Sequence, residues 1–265
     1  MSIPITWVDA FSEGLGGGNP AAVCLLDEPL DDVRMGALAA ELGISETAYL
    51  TPTDDPLQFG LRWFSPATEI DLCGHATLAS AHALRQSGRI DGSQPLTFHT
   101  RSGALSASFE GDLVELDFPA DPVAFGPVPA PLESQWPGAV VESGLSTNFI
   151  FVVLSAAAAV RDYVPDLDAI AASGPNSLLL SASADAGSGA DYVLRVFGPL
   201  VGIDEDPATG SAQCAAGPYW AARLGRAELV ARQLSARGAT LYVRPDGDRV
   251  RIGGRATTVL TGHLC

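Results

Sequence analysis

Short apolar runs, cut by Gly, Pro, Asn and Asp, follow one another along most of the chain. In the first half ITWVDAF (5–11), AAVCLL (21–26), TAYLT (47–51), QFGLRWF (58–64), LTFHT (96–100), ALSASFE (104–110) and LVELDF (113–118) have the length and bounding residues of strands. Helical spacing is confined there to Asp32–Leu42 and Ala76–Gln86, the latter closed by Gly88. The second half predicts strands at FIFVVL (149–154), SLLLSA (177–182), DYVLRVF (191–197), LYVRP (241–245) and RVRIGG (249–254), with helices near Leu167–Ala172 and Ala212–Leu224. The stretch ATLASAHAL (76–84) is small or apolar on every face except at His82, so a helix there must be enclosed. Gly217-Pro218 predicts a kink in the later helix, because proline removes one hydrogen bond and crowds the preceding turn.

The halves repeat each other. LRWFSP (61–66) returns as LRVFGP (194–199), and Ile70-Asp71 returns at the same offset as Ile203-Asp204. After a shift of three, Gly74-His75-Ala76 falls on Gly210-Ser211-Ala212. Three matches in the same order argue for an internal duplication. Residues 117–138, DFPADPVAFGPVPAPLESQWPG, hold six prolines, which cannot sit in the interior of a regular element. The expected organisation is therefore a first half at 1–118, a linker at 119–138 and a second half at 139–265, with the last residues free to pack back on the first half. Each half should be a sheet wrapped round one central helix.

Composition narrows the partners. The chain has 265 residues, 47% apolar and 17% charged, enough apolar content for a substantial core. Its formal charge of −16 and pI near 4.4 oppose binding to nucleic acid or to an anionic membrane. The start has no basic leader region, and the longest mainly apolar run, Phe149–Val160, is too short to span a bilayer, so a cytoplasmic location is expected. Four cysteines show no C-x-x-C pair, and four histidines show no metal-binding spacing. Cys73 and His75 could supply two donors, but the sequence offers no second pair, so no metal is expected. GLGGGNP (14–20) runs into another strand rather than a helix, and DPATGSA lacks the P-loop lysine, so neither predicts a nucleotide site.

One stretch demands a chemical explanation. GIDEDPATGSA (202–212) places Asp204, Glu205 and Asp206 side by side, directly before a helix built of small apolar residues. Helix-initial amides lack intrahelical partners and carry the positive end of the dipole. Gly210 allows close approach and Ser211 adds a hydroxyl, so this step and the Gly74-His75 step each suit a bound anion. Asp204 and Glu205 are expected to be solvated or capping groups, and Cys73 and Cys214 to be small buried hydrophobes.

GNPAAV (18–23), ELGISETAYL (41–50), LRWFSPATEIDLCGHATLASAHAL (61–84), TRSGAL (100–105), EDPATGSA (205–212) and PYW (218–220) together resemble the phenazine-biosynthesis PhzF family, in order and over nearly the whole chain. The resemblance implies an α/β (α+β) fold similar to diaminopimelate epimerase. That fold has two pseudo-symmetric domains, each a mostly antiparallel β-roll or barrel around a central helix, with the active site in the cleft between them. It also implies a proton shift like the isomerisation of trans-2,3-dihydro-3-hydroxyanthranilate, without cofactor or metal, on a small anionic substrate, in a homodimer. By the same resemblance Glu46, His75, Asp206 and Ser211 carry the chemistry, with Gly74 and Gly210 beside them in the substrate cradle. Glu46 would be the base, its pKa of roughly 4.3 raised by burial. His75 and Asp206 would orient the substrate and shuttle protons, and Ser211 would hold its carboxylate. Relatives usually carry His after GSA, where this chain has Gln213. Two other readings remain open: a racemase or epimerase of the same fold using a thiolate pair, for which only Cys73 is in place, and a catalytically silent protein that binds small acids.

Overall fold

The alternating start of the chain folds as β1 (Ile3–Ala10), antiparallel to β2 (Asn19–Leu25), whose continuous burial marks it as an inner strand. Helix α1 (Asp32–Leu42) follows. Asp31 caps its start by accepting from the Arg34 amide, and Gly43, at φ 62°, ends it in the left-handed conformation that glycine adopts without strain. The chain then enters β3 (Glu46–Pro52), parallel to β2, and returns antiparallel through β4 (Gln58–Phe64) and the two-residue β5 (Glu69–Ile70). Next comes α2 (Gly74–Gln86), then β6 (Leu96–Thr100) parallel to β4, then β7 (Gly103–Glu110) and β8 (Leu113–Pro119) as a meander. Helix α2 is buried from His75 to Leu84 except at His82. Its inward hydroxyls bond within the helix, Thr77 to the Cys73 carbonyl at 2.5 Å and Ser80 to the Ala76 carbonyl at 2.7 Å, so neither is left unmatched in the dry interior.

The second run of elements repeats this plan. After β9 (Ala124–Phe125) come β10 (Val140–Leu145) and β11 (Phe149–Leu154), an antiparallel pair matching β1 and β2. Two short helices, α3 (Ala157–Arg161) and α4 (Leu167–Ala172), stand where α1 stands in the first run. Then β12 (Ser177–Ser183) runs parallel to β11, β13 (Tyr192–Gly198) antiparallel to β12, and β14 (Ile203–Asp206) antiparallel to β13. Helix α5 (Ala212–Leu224) leads to β15 (Leu229–Gln233), parallel to β13, and on to β16 (Ala239–Asp246) and β17 (Arg249–Gly254). The order parallel, antiparallel, parallel, antiparallel is the same in both runs, and LRWF and LRVF lie on the matching strands β4 and β13. The repeat seen in the sequence is a repeat of topology.

This computed structural model describes residues 2–174 and 176–264. It divides into two units, Met1–Asp117 with Gly253–Cys265, and Phe118–Ile252. The closing strand Ala256–Leu264 pairs antiparallel with β1, which is how the C-terminal residues join the first unit. The core of the first unit includes Cys24, Met35, Ala39, Tyr49 and Phe64; that of the second includes Ile150, Val152, Leu178, Leu180 and Phe197. Burial of each such large side chain contributes about 1.5–3 kcal/mol.

Several expectations need correction. The proline-rich stretch 119–138 is no free tether: it belongs to the second unit, whose core takes up Leu132 and Trp136. Helix α5 holds Pro218 in its interior, at the position where the sequence predicts a kink. The carbonyl four residues earlier, Cys214, which proline leaves without its helical donor, accepts from the Asp121 amide at 3.0 Å. Helix α2 starts two residues earlier than its apolar pattern suggests, at Gly74. The strands at 124–125, 140–145, 229–233 and 256–264 carry weak or broken alternation and escape a pattern reading.

Candidate active site

Glu46 opens β3 just after the Gly43 turn. Tyr49, three residues on, donates its hydroxyl to the Met35 carbonyl at 2.8 Å, which ties the strand to α1. Pairing with Ala21 of β2 holds the residue inside, and Glu46 is only 7% exposed. It is thus no surface acid. The Oε2 atom is buried without an aligned hydrogen-bond donor.

His75, second residue of α2, comes within 2.8 Å of that oxygen through Nε2. The approach is an ion pair of close charges rather than an aligned hydrogen bond. Cys73, which precedes α2, lies against the same imidazole, its Sγ 3.5 Å from Nδ1 and 3.9 Å from Nε2. Burial works against the imidazolium, but the Glu46 carboxylate 2.8 Å away outweighs it and holds the His75 pKa well above its ordinary value. Burial pushes the Cys73 thiol up, which keeps it protonated. One donor atom from each of Glu46, Cys73 and His75 lies within 4.8 Å of the other two, so folding gives Cys73 and His75 the third metal-type donor that the sequence did not reveal. Cys73 is buried as expected, yet its partner is a charged ring rather than the apolar core.

In the second unit the GIDEDPATGSA stretch forms β14, a tight loop and the start of α5. Each acid has its own fate. Asp204 is exposed. Glu205, expected to be solvated or capping, is instead held by the Arg195 guanidinium at 2.7 and 2.9 Å. Asp206, half-buried, accepts from the Thr209 hydroxyl at 2.6 Å. Buried Gln233 on β15 fixes the loop from behind. It donates to the Asp206 carbonyl at 2.6 Å and to Thr209 Oγ1 at 3.1 Å, and it accepts from the Thr209 amide at 2.8 Å. Gln213 sits on the first turn of α5, accepting from the Tyr192 hydroxyl at 2.5 Å and donating to the Thr209 carbonyl at 3.2 Å. Its buried amide is a loop brace. Gly210 is buried, and Ser211 at the helix start is exposed and makes no side-chain cap.

Glu46, Gly74 and His75 are therefore brought together in the first unit, with Cys73 added. Asp206, Gly210 and Ser211 cluster in the second. Thr209 and Gln233 were not foreseen; a glutamine inside a short strand carries no local signal of its role.

Comparison with known proteins bears on this geometry. The family model for phenazine biosynthesis-like proteins, PhzC-PhzF, matches residues 8–121 and 129–262. An uncharacterized isomerase of Halalkalibacterium halodurans is 41% identical over 276 residues, covering 100% of this chain and 99% of that one. A crystal structure of a PhzF family protein from Enterococcus faecalis superposes with a TM-score of 0.94 at 36% identity, with both chains covered in full. A hydroxyproline epimerase from Agrobacterium vitis shares the fold at a TM-score of 0.63 and 14% identity, over 99% of this chain and 92% of that one. The α/β architecture of two like units, each a sheet with its enclosed helix, is the one these proteins have. The chain belongs to the phenazine biosynthesis-like (PhzC-PhzF) family.

Proposed function

We propose that this protein is an isomerase that moves a proton between carbons of a small carboxylate, an amino-hydroxy acid by chemical class, with Glu46 as the base. Membership of the family and the isomerase name of its relative support an isomerase- or epimerase-type activity. The observation that carries the assignment to Glu46 is its burial against His75, with Oε2 2.8 Å from Nε2. A carboxylate offers about four lone-pair sites, so Glu46 can accept a proton from carbon while Oε2 faces the His75 imidazole. The electron pair of the broken C–H bond moves into an enolate or enol. Glu46 then returns its proton at the second carbon, so the step is redox-neutral and balanced. His75, held protonated, donates a hydrogen bond to the developing oxyanion or to the substrate's amino or hydroxyl group.

Asp206 and Ser211 enter this reading as substrate-binding groups of the second unit. Thr209 and Gln233 set the orientation of Asp206. The initial amides of α5 suit a substrate carboxylate. The test is proton exchange: the chain is incubated with a candidate amino-hydroxy acid in deuterated water, and deuterium incorporation at carbon is followed by NMR. Glu46→Gln should abolish incorporation. Full exchange by that variant would overturn the assignment of the base.

A further inference from the structure

We infer that Glu46, Cys73 and His75 form a zinc site, and that Zn²⁺ bound there switches off the exchange reaction. The binding half stands on the donor atoms alone; the inhibitory half rests on Glu46 being the base.

Three observations converge on an ion. The donors are one sulfur, one imidazole nitrogen and one carboxylate oxygen, all within 4.8 Å of one another. All three residues are more than nine-tenths buried, at 7%, 7% and 8% exposure. Glu46 Oε2 lies inside the cluster without an aligned donor. In a tetrahedral zinc site, with bonds of about 2.0 Å to N or O and about 2.3 Å to S, neighbouring donors stand about 3.3–3.5 Å apart. The pair Glu46 Oε2 and His75 Nε2, at 2.8 Å, would open by about half an ångström to reach that spacing. The pair Cys73 Sγ and His75 Nε2, at 3.9 Å, would close by nearly as much.

The donor set also selects the ion. Sulfur and imidazole favour zinc or cobalt over magnesium or calcium, which prefer oxygen throughout. On binding, the Cys73 thiol and the His75 imidazolium each release one proton to solvent. The thiolate and the Glu46 carboxylate then balance the two charges of the ion. Three protein ligands leave the fourth position to water. Coordination commits the carboxylate charge that would otherwise accept a proton from carbon, so the chain would lose its base while zinc is bound.

The test separates the two halves. Metal-free protein is titrated with cobalt(II) chloride, and the visible and thiolate charge-transfer absorption is recorded without substrate. One ion per chain is expected, displaced by Zn²⁺, with binding at least about tenfold weaker in Cys73→Ser. In parallel, stoichiometric Zn²⁺ should stop deuterium exchange, EDTA should restore it, and Mg²⁺ should leave it unchanged. Should Cys73→Ser fold poorly by thermal melt, Cys73→Ala, which removes the sulfur without burying a hydroxyl, replaces it, with the same loss of cobalt binding expected. Absence of a cobalt signal, or a signal equal in Cys73→Ser, overturns the site and leaves the isomerase reading intact. Tight binding with exchange undiminished overturns the inhibitory half and counts against Glu46 as the base.

Discussion

Arg195 grips Glu205 through two parallel bonds, Nε to Oε1 at 2.7 Å and Nη2 to Oε2 at 2.9 Å. The duplicated partner does the same: Arg62 holds Glu69 through Nε and Nη2, both at 2.7 Å. The two arginines occupy the same place in LRVF and LRWF. Each pins the short strand that leads toward the enclosed helix of its unit. The crowded acids at 204–206 are thereby explained, since one of the three is neutralised in a planar two-point pair.

The two copies should differ in energetic weight. The third nitrogen of Arg195 also donates to the carbonyls of Val160, Arg161 and Tyr163, at 3.3, 3.1 and 2.7 Å, and its side chain is 10% exposed. Arg62 is 31% exposed, and Glu69 retains Arg101 at 2.6 Å when Arg62 is lost. Arg195→Met leaves the part-buried Glu205 without its cation and three carbonyls without their donor, and should cost about 1–3 kcal/mol, whereas Arg62→Met should cost about 1 kcal/mol or less. Urea denaturation of the two variants measures the contrast. Equal losses would show that the carbonyl contacts of Arg195 carry no weight.

Gln233 should matter to activity beyond its effect on stability. Replacement by Leu removes the donor to the Asp206 carbonyl and the acceptor for the Thr209 amide. Each buried group left unmatched costs about 1–3 kcal/mol. Asp206 would then lose the loop geometry that aims it, so exchange activity should drop at temperatures where the variant remains fully folded by circular dichroism. Activity that tracks only the folded fraction would make Gln233 a purely structural residue.

Much of this was legible in the chain because local physics and tertiary structure agreed. The 76–84 run is too apolar to be anything but enclosed, and the LRWF and LRVF echo survives folding as matching strands. Glu46 and His75 stood out only through motif resemblance, since neither residue type at its position carries a structural signal. Other features were hidden because their causes are nonlocal. Cys73 meets Glu46 only through the packing of α2 against β3. Leu132 and Trp136 join a core from inside a proline-rich stretch, and the carbonyl freed by Pro218 is matched by an amide nearly a hundred positions earlier.

Asp121 should give the protein part of its acid sensitivity. Burial works against its carboxylate. The Thr147 amide and the Ser146 and Asn148 side chains overcome that penalty and lower its pKa below the ordinary 3.8. The contacts are at 2.9 Å from the Thr147 amide, 2.9 Å from the Ser146 hydroxyl and 3.1 Å from the Asn148 side-chain amide. A depressed carboxyl pKa adds stability that is present above the unfolded-state value and is lost as pH falls through the folded one. Asp121→Asn should therefore be destabilised near neutrality, and its melting temperature should fall less steeply than that of the natural chain on acidification below about pH 4. Parallel curves would remove Asp121 from the acid response.

Two single substitutions separate the carboxylate base from a thiol base. If Glu46 takes the proton, Glu46→Gln keeps size and burial but removes the accepting charge, and exchange should fall by about 10²–10⁴-fold. Cys73→Ser should leave exchange within a few-fold, because burial keeps the thiol protonated and the second unit offers no thiol to match it: the positions equivalent by the repeat carry Asp206 or Thr209. A two-base epimerase built on cysteine predicts the reverse ranking. Solvent deuterium exchange with both variants, measured at one substrate concentration on protein shown to be folded, decides between them. The outcome turns on whether exchange survives loss of the carboxylate charge or loss of the sulfur.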